Sequence, residues 1–276
     1  MMNVSDYYAG QAELREVGAD IDGRVKKAGR LFQKHLGRAE RLLDIGCGVG
    51  AVGLYLQEVL AAGEVHGLEI SESRVAAAQQ RGIRAVQGDL NQEPLPFGDG
   101  SFDAVFCGEI IEHLVDPDHL LDEIHRTLTP RGLCVLTTPN LANWYNRIAL
   151  ALGWQPFDTS VSFRHEVGRP KLLVGDYGCR DHLRVFTYRA LRELLSVHDF
   201  TVVDVAGVSL SQVFIGRGDW SSKPTRALLF WTLYPLDRLL SLFPSFGTRV
   251  VVAFKKRSEV ENRKKMGGAV DPLRLH

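Results

Sequence analysis

An acid followed by closely spaced glycines, in 41-RLLDIGCGVGAVGLYL-56, is the first stretch that could do chemistry. Glycine lets a backbone bend sharply and come close to a ligand. Two ligand chemistries compete for these residues. Gly48, Gly50 and Gly53 spell G-x-G-x-x-G, the spacing of a loop that holds the pyrophosphate of a nicotinamide or flavin dinucleotide at a helix N-terminus. Asp44, Gly46 and Gly48 spell D-x-G-x-G, continued by Gly50. A carboxylate at the mouth of the loop repels a pyrophosphate and suits a ligand with a cationic portion. The apolar run ends at Ile45, so Gly46 begins the loop on time and Gly48 begins it late. S-adenosylmethionine (SAM) has a sulfonium and an ammonium and no phosphate, and it suits the second frame better. Glu69 lies roughly 20 residues past the loop, where an acid accepts hydrogen bonds from ribose hydroxyls. That feature serves any adenosine ligand. Asp89, in 88-GDL-90, could accept from an adenine amino group.

These acids need strand ends to present them. The run 41–45 reads as a strand, 50–62 as a helix, 64–70 as a strand, and 72–81 as a helix capped by Ser71. Further strands are expected at 83–87, 102–107 and 133–138. Asp116 and Pro117 open a helix whose apolar face holds Leu120, Leu121, Ile124 and Leu128, with Gly132 as terminator. Strands alternating with helices predict an α/β fold, a doubly wound parallel sheet with ligands at the carboxyl ends of its strands. A helical lead-in precedes it over 1–37. The main domain is expected over 38–256, with an irregular lid or acceptor segment at 139–186 and a helix at 187–198. Strands follow at 200–208 and 248–256, separated by an apolar insertion at 209–247. The tail, 257–276, reads as disordered.

Composition narrows the classes. Lys plus Arg and Asp plus Glu are 33 each, so the net charge is zero and no extended polyanion such as nucleic acid is favoured as partner. Cys47, Cys107, Cys134 and Cys179 form no C-x-x-C pair, and no cluster of acids and histidines is evident, so no metal site is expected. The start, MMNVSDYYAGQAELREVG, has no apolar run behind basic residues, and no stretch reaches the length of a spanning helix. A cytoplasmic, thiol-reducing setting is the simpler expectation.

The series LLDIGCGVG, HGLEIS, VQGDL and FDAVFCGEIIEHLVDPDHLLDEIHRTLTPRGLCVLTTPN resembles the class I SAM-dependent methyltransferases. It is most similar to the branch of ubiquinone-type and related small-molecule O-methyltransferases. The resemblance is strong over 38–140, and 181–207 shares it. It implies a Rossmann-like seven-stranded sheet whose last strand is antiparallel. It also implies that Asp44, Gly46, Cys47, Gly48 and Gly50 line the methionine end of SAM. Glu69 would hold the ribose, with Ile70, Asp89 and Leu90 around the adenine, and Cys107, Gly108 and Glu109 would flank the methionyl portion. The resemblance makes an N/D-P-P-Y/F/W motif after the fourth strand the mark of enzymes that methylate nucleic-acid amino groups, and its absence here disfavours them.

Methyl transfer to a hydroxyl needs a positioned nucleophile and a route for its proton. His113, just past the fourth strand, and His182, in 180-RDHLRVF-186, are the candidate catalytic residues. Each could equally be a structural histidine. His165 is a weaker candidate in the irregular segment, and Tyr7 and Tyr8 could cover the donor's carboxylate. In 224–246, Pro235 predicts two short helices rather than one. Their Leu, Phe and Trp residues could pack as core, line an apolar acceptor pocket, or touch a membrane surface peripherally beside a basic tail. The reading is thus a SAM-dependent methyltransferase (EC 2.1.1.-) acting on a small-molecule or lipid-like acceptor, at oxygen. A non-catalytic binding or assembly module on the same fold and an NAD-dependent nucleotide-sugar enzyme are the alternatives.

Overall fold

The computed structural model describes residues 21–162, 165, 167–169, 182–210 and 224–258, with backbone alone for 224–230. The sheet has seven strands in the order β3-β2-β1-β4-β5-β7-β6. They are β1 Arg41–Ile45, β2 Glu64–Glu69, β3 Arg84–Gln87, β4 Phe102–Gly108, β5 Leu128–Pro139, β6 Phe200–Val208 and β7 Arg249–Lys256. The first five run parallel. β7 runs antiparallel between β5 and β6. Sequence order reverses direction between β1 and β4, which opens a crevice above the carboxyl ends of these strands.

Side chains alternate across the sheet, as the strand period demands. Leu42, Ala104, Val135 and Val251 face one apolar layer, with α1 Gly23–His35, α2 Ala51–Leu60 and α3 Glu72–Gln80 over it. Leu43, Val105, Leu136 and Val252 face the other, covered by α4 Pro117–Thr127 and α6 Tyr188–Val197. Helix starts follow local chemistry. Asp22 accepts from the amides of Arg24 and Val25, and Asp116 from those of Asp118 and His119.

Three features depart from the sequence expectations. The helix opened by Asp116 and Pro117 ends at Thr127, so Leu128 begins β5 and Gly132 lies inside that strand instead of terminating the helix. The segment 139–186 is not wholly irregular, since α5 Trp144–Ala151 lies within it, capped by Asn143 accepting from the Asn146 amide. The insertion forms one helix of 17 residues, α7 Pro224–Leu240, with Pro235 inside it. Pro235 has no amide to donate back along the helix, and it lies in an exposed turn beside Trp231, so the helix runs on through it. The insertion leaves and rejoins the sheet at two touching glycines. A Cβ on Gly247 would lie 2.9 Å from the Gly207 Cα. Tyr7, Tyr8, Cys179 and the tail beyond residue 258 lie outside the described residues.

Candidate active site

Gly46, Gly48 and Gly50 all take positive φ, at 74°, 55° and 88°. A Cβ on Gly46 would sit 2.3 Å from the Ile110 Cδ1, and one on Gly50 would sit 2.5 Å from the Ile83 Cδ1. Those two glycines let the loop fold back against the protein. A Cβ on Gly48 would meet nothing within 4 Å, so this part of the loop faces open space where a ligand can approach. Gly53 is not part of the loop. It lies in α2, and its missing side chain leaves room for the buried Asp44 carboxylate, whose Oδ2 would be 3.2 Å from a Cβ there. The G-x-G-x-x-G spacing thus joins two loop glycines to one helix-packing glycine.

Glu69 ends β2 and ties the loop down. Its carboxylate accepts from the Gly48 amide at 3.0 Å and the Ser71 amide at 3.1 Å. Half-buried Ile70 follows it. Asp89 accepts from the Asn91 amide and the Gln92 side chain, and so shapes the turn that it also flanks. Asp44, Glu69 and Asp89 place three carboxylates around the loop, and no basic residue lies between Asp44 and Gly50. This donor set fits a cationic adenosine ligand and opposes a pyrophosphate. Asp44, Gly46, Gly48, Gly50 and Glu69 would hold SAM here.

Three expected contacts are restricted by burial. The Cys47, Cys107 and Leu90 side chains pack in the core, so only their backbones can face a ligand. Burial, reinforced by Asp44 and Glu69 for Cys47 and by Glu112 and Asp44 for Cys107, pushes both thiols up. Neither is a nucleophile. Gly108 closes β4, where a Cβ would meet the Phe106 ring at 2.7 Å.

Past β4 the chain carries an acid–arginine network. Glu109 takes positive φ, at 56°. Its carboxylate accepts from the Thr137 hydroxyl at 3.1 Å and from the Arg249 Nε at 2.8 Å, and pairs with the Arg24 Nη1 at 3.1 Å. Burial would raise this carboxyl, but Arg24 and Arg249 outweigh it and hold it at about 2. Arg249 also donates to Asp158 at 3.0 Å. Glu112 is fully buried. Burial, then the Glu109 charge, push its carboxyl well above the ordinary range. Its Oε2 accepts from the Thr138 hydroxyl, and its Oε1 has no hydrogen-bond partner among the described residues.

The structure brings the two sequence-predicted histidines together. The His113 and His182 rings lie 4.9 Å apart. The Glu112 carbonyl accepts from the Leu183 and Arg184 amides, which fastens the His182 segment beside β4. The His182 Nδ1 lies 2.8 Å from the Asp158 carbonyl oxygen. A carbonyl only accepts, so Nδ1 carries a proton in this contact. His165, by contrast, is exposed. No acid–histidine cluster is evident along the chain, but the fold forms one: ligand-type atoms of Glu112, His113 and His182 all lie within 4.8 Å of one another. The expectation of no such cluster is therefore corrected. Sequence reasoning also missed Arg24, Arg249 and Asp158.

A seven-stranded sheet with its last strand antiparallel, closing over an acidic glycine loop, defines the class I SAM-dependent methyltransferases. Residues 43–136 match the family described as "Methyltransferase domain". A "Probable S-adenosylmethionine-dependent methyltransferase" of Mycolicibacterium smegmatis is 31% identical over 63% of this chain and 65% of its own length. The ubiquinone biosynthesis O-methyltransferase of Psychrobacter arcticus is 32% identical over 37% of this chain and 41% of its own. The 1,6-didemethyltoxoflavin-N1-methyltransferase of Burkholderia thailandensis, solved with bound S-adenosylhomocysteine, superposes with a TM-score of 0.51 at 18% identity, covering 92% of this chain and 85% of that one. The chain thus has the fold of the class I SAM-dependent methyltransferases, carries a methyltransferase-domain match over residues 43–136, and has a glycine loop whose residues fit SAM as cofactor. The chain spans less than half the length of the first curated relatives it matches, between 18% and 41%.

Proposed function

We propose that the chain methylates an oxygen of a small or lipid-like acceptor held past the end of β4, beside His113 and His182. SAM, once bound, supplies a methyl group already activated on a sulfonium. The protein's task is then to orient the acceptor and remove its proton. The observation that carries this reading is the His182 contact. With Nδ1–H donated to the Asp158 carbonyl, the neutral ring presents its lone pair on Nε2, beside His113. Arg24 and Arg249 neutralise Glu109, which limits repulsion of an acidic acceptor. The site roles of Asp44, Gly46, Gly48, Gly50, Glu69, Ile70 and Asp89 toward SAM belong to the same proposal.

The test measures labelled methyl incorporation from SAM into pools of hydroxyl acceptors, with His113→Ala and His182→Ala proteins alongside wild type. Loss of the base should slow transfer by about 10²–10⁴-fold while SAM affinity stays close to wild type. Equal rates in all three would sink the base assignment. No product from any pool would favour a binding module. The Glu112–His113–His182 cluster supports a second reading, in which a divalent cation there holds the acceptor oxygen. Activity lost in chelator and restored by magnesium or manganese would select it over the free base.

A further inference from the structure

From Trp231 onward, helix α7 turns apolar side chains outward and its acid inward. Asp237, the only acid in 224–246, is buried, and it accepts from the Trp144 indole and the Leu210 amide. At about 3.6 residues per turn, Trp231, Pro235, Leu236 and Leu239 share the opposite arc with Arg238. Leu242 and Phe243 extend it past the helix end. These apolar side chains are open to solvent: Trp231 is 64% exposed, Leu239 57%, Leu242 73% and Phe243 60%. A helix that belonged to the core alone would put leucines inward and its charge outward.

The edge of this face is cationic. Lys27 on α1 feels Arg238 of α7 and Arg30 of its own helix, and both arginines are exposed. Its amine donates to the Gly207 carbonyl at the base of the insertion. Burial and then these two like charges hold Lys27 down at about 8, with Asp237 the opposing charge. Three bases held together against one buried acid favour an anion at their edge. On the other side, Arg147 of α5 stacks over the Phe246 ring at 4.6 Å.

We infer that the outer face of α7, extended by Leu242 and Phe243, docks on an anionic lipid bilayer, with Arg30 and Arg238 at the headgroups. Exposed Trp, Phe and Leu beside arginine is the composition of a helix lying in a membrane interface. Among the described residues no helix is long and apolar enough to cross a membrane, so the contact is one of lying on the surface. A second copy fits less well. A two-fold contact through this face would bring Arg238 toward its own copy with no exposed acid in 231–246 to answer it. The inference takes the lipid-like acceptor reading one step further. Its readout is vesicle binding rather than methyl transfer, so either can fail alone.

The full chain is centrifuged with vesicles of phosphatidylcholine alone or with about 30% phosphatidylglycerol. Wild type should bind the mixed vesicles several-fold more tightly, and less so as salt rises. Leu239→Asp/Leu242→Asp protein should lose about tenfold or more on both vesicles. Arg30→Glu/Arg238→Glu protein should lose the preference for the anionic ones. SAM binding, measured by calorimetry, should match wild type in both variants, since these side chains are exposed and none of them belongs to the glycine loop or the strand ends around it. The inference is overturned if wild type binds neither vesicle, or if both variants bind like wild type. A dimer that the leucine substitutions dissociate, without vesicle binding, would assign the face to a second copy instead.

Discussion

Glu109 offers the most quantitative check on the site's electrostatics. Replacing it with glutamine keeps the shape and the Thr137 contact but removes the charge that Arg24 and Arg249 share. A carboxyl held at about 2 lies well below the ordinary glutamate value of about 4.3. Tenfold in proton affinity is about 1.4 kcal/mol, so the depression corresponds to roughly 3 kcal/mol. Removing one partner of a buried ion pair costs about 3–5 kcal/mol. The lower figure is the better guide here, because Arg24 keeps Asp22, Arg249 keeps Asp158, and the Glu109 side chain is still 19% exposed. A depressed carboxyl stabilises the fold above its unfolded value, and the contribution fades as pH falls through about 2. Urea unfolding followed by circular dichroism should therefore show Glu109→Gln about 3 kcal/mol less stable at pH 7. Near pH 3 the titratable part of that gap should be roughly halved. A gap under about 1 kcal/mol at pH 7, or one that does not change with pH, would refute the reasoning.

Two other perturbations separate structure from ligand contact. Gly48→Ala adds a methyl to open space at a left-handed φ of 55°, so it should cost about 1–2 kcal/mol of stability yet weaken SAM binding well beyond that, as calorimetry can show. Gly50→Ala drives a methyl to 2.5 Å from the Ile83 Cδ1 on top of a φ of 88°, so thermal unfolding should reveal a larger stability loss than for Gly48→Ala. His198 bridges Asp118 and Asp122, with each ring nitrogen 2.8 Å from a carboxylate. Burial opposes its charge, but the two aspartates prevail and raise its affinity for the proton. Its contribution is full below about 6.5 and is lost as pH rises through the higher folded value. A His198→Gln protein should flatten stability against pH in that window, as titrated denaturation curves would reveal.

Much of this fold can be read from periodicity, because parallel strands buried on both faces leave unmistakable apolar runs and their helices leave clear caps. The acids at the ends of β1, β2 and β3 were legible for the same reason: they interrupt an apolar run where the chain must turn. Arg249 was hidden by the opposite geometry. β7 runs antiparallel, so its first residue, not its last, lies at the carboxyl ends of the other strands. Arg24 sits inside a charged amphipathic helix where nothing marks it as different. His113 and His182 were legible as candidates, but their pairing depends on the Glu112 carbonyl catching the Leu183 and Arg184 amides, a contact between distant segments. Helix α5 was missed because its start, Asn143-Trp144-Tyr145-Asn146, resembles a loop until the Asn143 cap is seen. Pro235 was over-read, since one lost hydrogen bond on a wet face does not end a helix.

The close approach of Gly207 and Gly247 carries a consequence for how such a chain can diversify. The ends of the insertion are already held together by the sheet, with the Thr248 amide donating to the Val208 carbonyl at 2.7 Å. Closing a loop costs only slowly more as it lengthens, about 0.6 kcal/mol per doubling. The segment between the two glycines therefore behaves as a cassette. A change of its length or sequence should leave the glycine loop, which lies on other strands, largely untouched, provided that the Asp237–Trp144 contact to α5 is kept. A graft of this segment between relatives, with the two glycines kept, is then a route to new surfaces and acceptors on an unchanged donor-binding frame.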